Sequence, residues 1–131
     1  MTKSTALSVA VVALLLPACS TSERSGAQSD ATAQVEVVNI SYQPETLQVA
    51  IGTEVTWTNM DEGVRHTVTS GRPGDGGVPG VSEGEPPRPD GIFDGDLPDA
   101  SESFGFTFDE AGTYDYFCRV HPSMTARVVV D

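Results

Sequence analysis

Positive charge is scarce in this chain of 131 residues. Lysine occurs once, at Lys3, and the seven basic residues face 19 acids, for a formal net charge of −12. A surface of that sign cannot neutralise phosphate, which excludes a general nucleic-acid binder and electrostatic attachment to anionic lipid. Cysteine occurs twice, too few for a disulfide-dense scaffold or a zinc cluster of four thiolates. No apolar run reaches the roughly 20 residues that a spanning helix needs. No segment carries a convincing helical period. The length suits one domain rather than two.

The longest apolar run, Ala6 to Ala18, follows Lys3 and ends in Leu16-Pro17-Ala18-Cys19. A short basic start and a brief apolar stretch are the parts of a signal peptide. Its end resembles a bacterial lipobox, in which the cysteine is lipidated and becomes the first residue of the mature chain. Residues 1–18 are therefore expected to be removed, with Cys19 as the lipidation site. The alternative is an ordinary Cys19, paired in a disulfide with Cys118. Residues 19–34 are small and polar and are expected to form a flexible tether. The expected location is the cell envelope, lipid-anchored on the periplasmic or extracytoplasmic side.

From Val35 the pattern changes to short runs of β-branched and aromatic residues. Val35, Val37, Val38, Ile40 and Tyr42 are followed by Leu47, Val49 and Ile51, then by Val55 and Trp57. Phe104, Phe106 and Phe108 share one parity, which places three phenylalanines on one sheet face. Tyr114, Tyr116 and Cys118 share another parity, and Ala126, Val128 and Val130 close the chain. These are strand signals separated by turns. They predict an all-β, Greek-key sandwich of seven or eight strands over residues 35–131. Residues 71–102 are rich in glycine, proline and acids and are expected to form a long acidic surface loop. Ile92 and Phe93 are the candidates to anchor its far end.

The chemistry concentrates near the C-terminus. Cys118-Arg119-Val120-His121-Pro122-Ser123-Met124 is a C-x2-H-x2-M motif, and His66 is the other histidine of the chain. Two imidazoles, a thiolate and a weak thioether are the ligand set of a blue-copper site. Cu(I) favours sulfur and Cu(II) favours nitrogen, so a mixed set held in one geometry serves both states. Each residue alone has an ordinary explanation, since Cys118 and Met124 could be core filler and His121 a surface histidine. Together they account for both histidines and for a thiol in an exported domain.

At this point Phe106-Thr107-Phe108-Asp109-Glu110-Ala111-Gly112-Thr113-Tyr114-Asp115-Tyr116-Phe117-Cys118 resembles the penultimate strand of the cupredoxins. Gly52-Thr53-Glu54-Val55-Thr56-Trp57-Thr58-Asn59, with Arg65-His66-Thr67-Val68, resembles their first-histidine segment. The family is that of plastocyanin and azurin, and the short ligand loop is most similar to amicyanin-like members. The resemblance implies a type 1 copper electron carrier, not an enzyme. It implies His66, Cys118 and His121 as equatorial ligands of one copper ion, with Met124 axial. It also implies a tyrosine corner at Tyr114. Expected partners are redox proteins, such as a c-type cytochrome or a copper or quinoprotein oxidoreductase, met by a monomer whose only membrane contact is its lipid anchor.

Three positions depart from the family pattern. Thr67 stands where asparagine is common, Arg119 and Val120 where Thr-Pro is common, and Arg65 where proline is frequent. The usual hydrogen bonds between the two ligand-bearing segments are therefore in question. Arg65 and Arg119 suggest a small positive rim beside the copper face, unless acids such as Asp61 or Glu62 pair with them. Two histidines exclude a multicopper oxidase or copper nitrite reductase, and one loop cysteine excludes a binuclear electron-transfer centre. The remaining alternative is a module for copper storage, delivery or sensing, although the chain lacks a methionine-rich or histidine-rich segment.

Overall fold

The computed structural model describes residues 32–75 and 84–131. The expected signal peptide, the expected lipidation site Cys19 and all but the last three residues of the expected tether lie outside the described residues. Among the described residues there are nine strands and no helix. They are β1 (Thr32–Val37), β2 (Tyr42–Gln43), β3 (Thr46–Val49), β4 (Thr53–Asn59), β5 (His66–Arg72), β6 (Arg88–Leu97), β7 (Ser103–Phe108), β8 (Gly112–Phe117) and β9 (Thr125–Val130). One sheet has the order β2-β1-β4-β7 and the other β3-β9-β8-β5-β6. The pairs β1–β4 and β3–β9 are parallel, and the other pairs are antiparallel.

Alternation explains how the strands build one interior. Val35 and Val37 of β1, Val55 and Trp57 of β4, Tyr116 of β8 and Val128 and Val130 of β9 all point inward and are buried. Trp57 is the hub. Its ring lies 5.5 Å from Tyr116, 5.6 Å from Phe93, 5.8 Å from Phe104 and 6.4 Å from Phe108 between centroids. Buried aromatic clusters of this kind supply much of the apolar area that a small sandwich has available. The three phenylalanines of β7 share a face as expected, with Phe108 fully buried and the other two packed against the core. The Tyr114 hydroxyl donates to the Glu110 carbonyl at 3.0 Å, the tyrosine-corner bond that pins the entry to β8.

The sandwich is as expected, with three corrections of detail. There are nine strands rather than seven or eight, because β2 and β3 are short and separate. Strand β1 includes Thr32 to Gln34, ahead of the expected start at Val35, because these residues extend the parallel pairing of β1 with β4.

The third correction concerns residues 71–102, which are not a continuous loop. Strand β5 reaches Arg72, and β6 occupies Arg88–Leu97. Phe93, Gly95 and Leu97 face inward while Asp94 and Asp96 face out, so a period of two is present beneath the glycine and acid content. Gly95 is required by its neighbour, because a Cβ there would lie 2.2 Å from the Phe104 ring. Where β5 and β6 lose register, between Thr69 and Gly71, the Ser70 hydroxyl fills the irregularity. It donates to Asp90 and accepts from the Phe93 amide at 2.8 Å.

Candidate metal centre

Strands β4, β5, β8 and β9 bring the sulfur and nitrogen donors to one end of the sandwich. Buried Asn59, the last residue of β4, organises the turn that delivers His66. Its side-chain amide donates to the carbonyls of Val64 at 2.8 Å and Leu97 at 3.2 Å, and its carbonyl oxygen accepts from the Asp61 amide at 2.9 Å. The chain then enters β5 at His66, whose ring is fully buried. On the other side, β8 ends at Phe117 and β9 begins at Thr125. The connection is drawn tight by its own backbone. The Cys118 amide donates to the Met124 carbonyl at 3.0 Å, and the Met124 amide to the His121 carbonyl at 2.9 Å.

This geometry gathers His66, Cys118 and His121, with one donor atom from each lying within 4.8 Å of the others. Cys118 is a free, fully buried thiol. Its Sγ lies 3.6 Å from His121 Nδ1. A trigonal ion with bonds of about 2.0–2.1 Å to nitrogen and 2.3 Å to sulfur, the lengths usual at zinc, spaces those two atoms by about 3.8 Å. Met124 is buried in the same loop.

The donor set fits a copper ion on a second count. His66 Nε2 lies 3.0 Å from Asp61 Oδ2, whereas His66 Nδ1 is buried with no hydrogen-bond partner. A carboxylate only accepts, so a ring hydrogen sits on Nε2, and Nδ1 is the nitrogen left to bind another partner. A buried nitrogen without a partner is costly, and a bound metal ion would satisfy it. The pairing of a carboxylate with the far nitrogen is how ligand histidines are commonly oriented.

Asp61 is itself held. The Asn39 amide donates to its Oδ1 at 2.8 Å and the Ile40 amide to its Oδ2 at 3.1 Å. Both residues are left-handed, with φ of 53° and 56°, which points two successive amides at one anion. Desolvation acts to raise the Asp61 pKa, but the Ile40 and Asn39 amides and the His66 ring together hold it below the usual carboxylate range. Sequence reasoning missed this role for Asp61, since no motif links it to His66. Two consecutive non-glycine residues at positive φ carry no sequence signal either.

The link between the ligand-bearing segments survives the departures from the family pattern. Thr67 donates its amide to Cys118 Sγ at 3.4 Å, and its hydroxyl accepts from the Arg119 amide at 2.8 Å. The Thr67 carbonyl accepts from the buried Tyr42 hydroxyl at 2.5 Å. The expected positive rim is neutralised. Arg65 binds Asp96 through two bonds, of 2.9 and 2.6 Å, and Arg119 pairs with Asp94 at 3.1 Å. The partners are acids of β6 rather than Asp61 or Glu62. The Arg65 guanidinium beside it holds the Asp96 carboxyl below its ordinary range.

Comparison with known proteins agrees with the geometry. Residues 29–131 match the family model for copper binding proteins of the plastocyanin/azurin family. Amicyanin from Paracoccus denitrificans is 34% identical over 103 residues, which are 79% of this chain and 68% of that protein. Amicyanin from Paracoccus versutus is 32% identical over 114 residues, 85% of this chain and 76% of that protein. Among solved structures, a purple cupredoxin from Nitrosopumilus maritimus superposes with a TM-score of 0.58 at 30% identity, covering 76% of this chain and 99% of its own. A reduced amicyanin variant superposes with a TM-score of 0.57 at 31% identity, covering 79% and 85% of the two chains. The chain belongs to the plastocyanin/azurin family of copper-binding proteins.

Proposed function

We propose that this protein is a type 1 copper protein that carries single electrons, with His66, Cys118 and His121 as equatorial ligands and Met124 as the axial one. The observation that carries the reading is the convergence of two imidazoles and a buried free thiol, with the donor nitrogen of one imidazole left without any other partner. The ion supplies a one-electron Cu(II)/Cu(I) couple. The chain supplies a fixed donor set: Asp61 orients His66, Thr67 spans Cys118 and Arg119, and the cross-bonded loop fixes His121. Donors held in place before the metal arrives need little rearrangement when its charge changes. His121 is the half-exposed ligand. Val120 and Pro122 beside it are exposed, so this edge is the route for electrons.

The partner is read from charge. Among the described residues, Arg65, Arg72, Arg88, Arg119 and Arg127 are each paired with a carboxylate. The surface offered to a partner is therefore acidic, and a redox protein with a basic rim, such as a c-type cytochrome, fits it. We further propose export by the N-terminal segment, anchoring through lipid on Cys19, and function as a monomer.

The test is electron exchange between the reduced protein and a basic c-type cytochrome, followed by stopped flow over a series of salt concentrations. The reading requires fast exchange that slows as salt screens the attraction. Slow exchange, together with ready release of copper to a chelator, would favour storage or delivery instead.

A further inference from the structure

The backbone ladder between β5 and β8 has two pairs, Thr69 with Phe117 and Ser70 with Tyr116. Beyond Phe117 the chain leaves that ladder, yet Cys118 and Arg119 stay fastened to β5. The fastening is a closed circuit of hydrogen bonds that starts at a backbone amide and runs through side chains. The Arg119 amide donates to Thr67 Oγ1 at 2.8 Å. Thr67 Oγ1 lies 3.4 Å from Thr69 Oγ1, and Thr69 Oγ1 donates to Asp94 Oδ1 at 2.9 Å. The same carboxylate oxygen is 3.1 Å from the Arg119 guanidinium. The circuit thus begins and ends on one residue.

Its direction is fixed by its ends. An amide can only donate and a carboxylate can only accept, so each hydroxyl must accept from one side and donate to the other. Hydrogen bonds aligned in this way polarise one another. Both threonines are buried, at 4% and 1% exposure, so water does not readily substitute for a missing member. Asp94 and the Arg119 side chain are half-exposed, which makes the two hydroxyls the protected part.

We propose that Thr69 and Asp94 are positioning residues for the metal centre, acting through Thr67 and Arg119 to fix the Cys118 end of the ligand loop on β5. The proposal rests on the copper reading for its consequence at the metal, but the circuit itself belongs to the chain alone. It also gives a function to one acid of the stretch 71–102. Asp94 ends the relay and neutralises the arginine that stands beside the ligand cysteine.

The experiment compares Thr69→Val, Thr69→Ser, Asp94→Ala and the double variant Thr69→Val with Asp94→Ala. Ser70→Ala serves as a control, because Ser70 bonds within the same strand pair but not to the circuit. In the metal-free chain, hydrogen exchange at the Arg119 amide is measured against that at Tyr116. Thr69→Val and Asp94→Ala should each accelerate it about two- to tenfold, the factor that one hydrogen bond represents. Their effects should not add, since both open the same circuit. Thr69→Ser should restore the wild-type rate. In the Cu(II) form, the same two variants should shift the thiolate absorption band and the copper hyperfine coupling, and Ser70→Ala should not.

Unchanged exchange and spectra in Thr69→Val and Asp94→Ala would overturn the proposal. So would equal shifts in Ser70→Ala, or failure of Thr69→Ser to rescue. If the wild-type protein binds Cu(II) without a thiolate band, the copper reading fails, and exchange in the metal-free chain still decides the circuit.

Discussion

Tyr42→Phe removes one hydroxyl and nothing else. The ring keeps its edge contact with Tyr116, at 4.8 Å between centroids, so no apolar burial is lost. What goes is the 2.5 Å bond to the Thr67 carbonyl. A hydrogen bond contributes about 1 kcal/mol net, and leaving its buried partner unsatisfied raises the cost to about 3 kcal/mol. Thr67 is 4% exposed, so the expected loss for the metal-free protein is about 1–3 kcal/mol. For a domain of this size each kcal/mol corresponds to about 4–8 °C in Tm. Urea unfolding followed by the fluorescence of Trp57, the one tryptophan of the chain, reads the change directly.

Alkaline pH provides an independent arm of the same test. Burial pushes the Tyr42 hydroxyl far above its ordinary pKa, with the Cys118 and Tyr116 charges adding to the effect, and burial pushes Tyr116 up as well. A group whose folded pKa is raised contributes stability that is fully present below its unfolded pKa and lost as pH climbs past it. Above about pH 10, where unfolded tyrosines ionise, each of the two should remove about 1.4 kcal/mol per pH unit. The described residues contain no lysine to obscure this. Tyr42→Phe should therefore halve that tyrosine-dependent slope and narrow its gap to wild type as pH rises. A loss below about 0.5 kcal/mol at neutral pH, the floor for a hydrogen bond, or an unaltered alkaline slope, would refute the reasoning.

Other substitutions probe separate parts of the fold. Ile40 is half-exposed at a left-handed φ of 56°, so Ile40→Asn should stabilise the protein by about 1 kcal/mol in urea unfolding; a destabilised variant would show that the strain argument is wrong. Asp61→Asn should weaken the protein at neutral pH. Because the folded pKa of Asp61 is depressed, its contribution is present above the ordinary aspartate range and fades as pH falls through the folded value. The difference in acid unfolding between Asp61→Asn and wild type should therefore shrink toward low pH, and a constant difference would count against the charge-based account. Gly95→Ala forces the Phe104 ring to move and should cost about 1–3 kcal/mol by overpacking; a neutral result would mean that the ring has room the structure does not show.

The sandwich was legible because its inward residues keep a period of two through β1, β4, β7, β8 and β9. The candidate ligand motif stood out because three unlike donor types fall within seven residues, and the fold brings two of them, Cys118 and His121, to His66. β6 was hidden because two of its inward positions are a glycine that yields to Phe104 and a phenylalanine beside a bulge, set among acids that usually signal loop. Asp61 and Tyr42 were hidden for a different reason. Tyr42 reaches the site across the fold, over 25 residues to Thr67, and Asp61, though five residues before His66, is set in place by amides 22 and 21 residues away; local spacing carries no trace of such bonds. The acids that pair with Arg65 and Arg119 were hidden on the same ground, since Asp96 and Asp94, rather than Asp61 or Glu62, become neighbours only once β6 pairs with β5.

The central claim is tested most directly by optical and EPR spectroscopy of residues 20–131 loaded with Cu(II), before and after ascorbate, for wild type and Cys118→Ala. The account predicts an intense visible thiolate-to-copper band with small copper hyperfine splitting, reversible bleaching on reduction, and loss of the band in Cys118→Ala. Bound copper with no such band in the wild type, or a band that persists in Cys118→Ala, would contradict it.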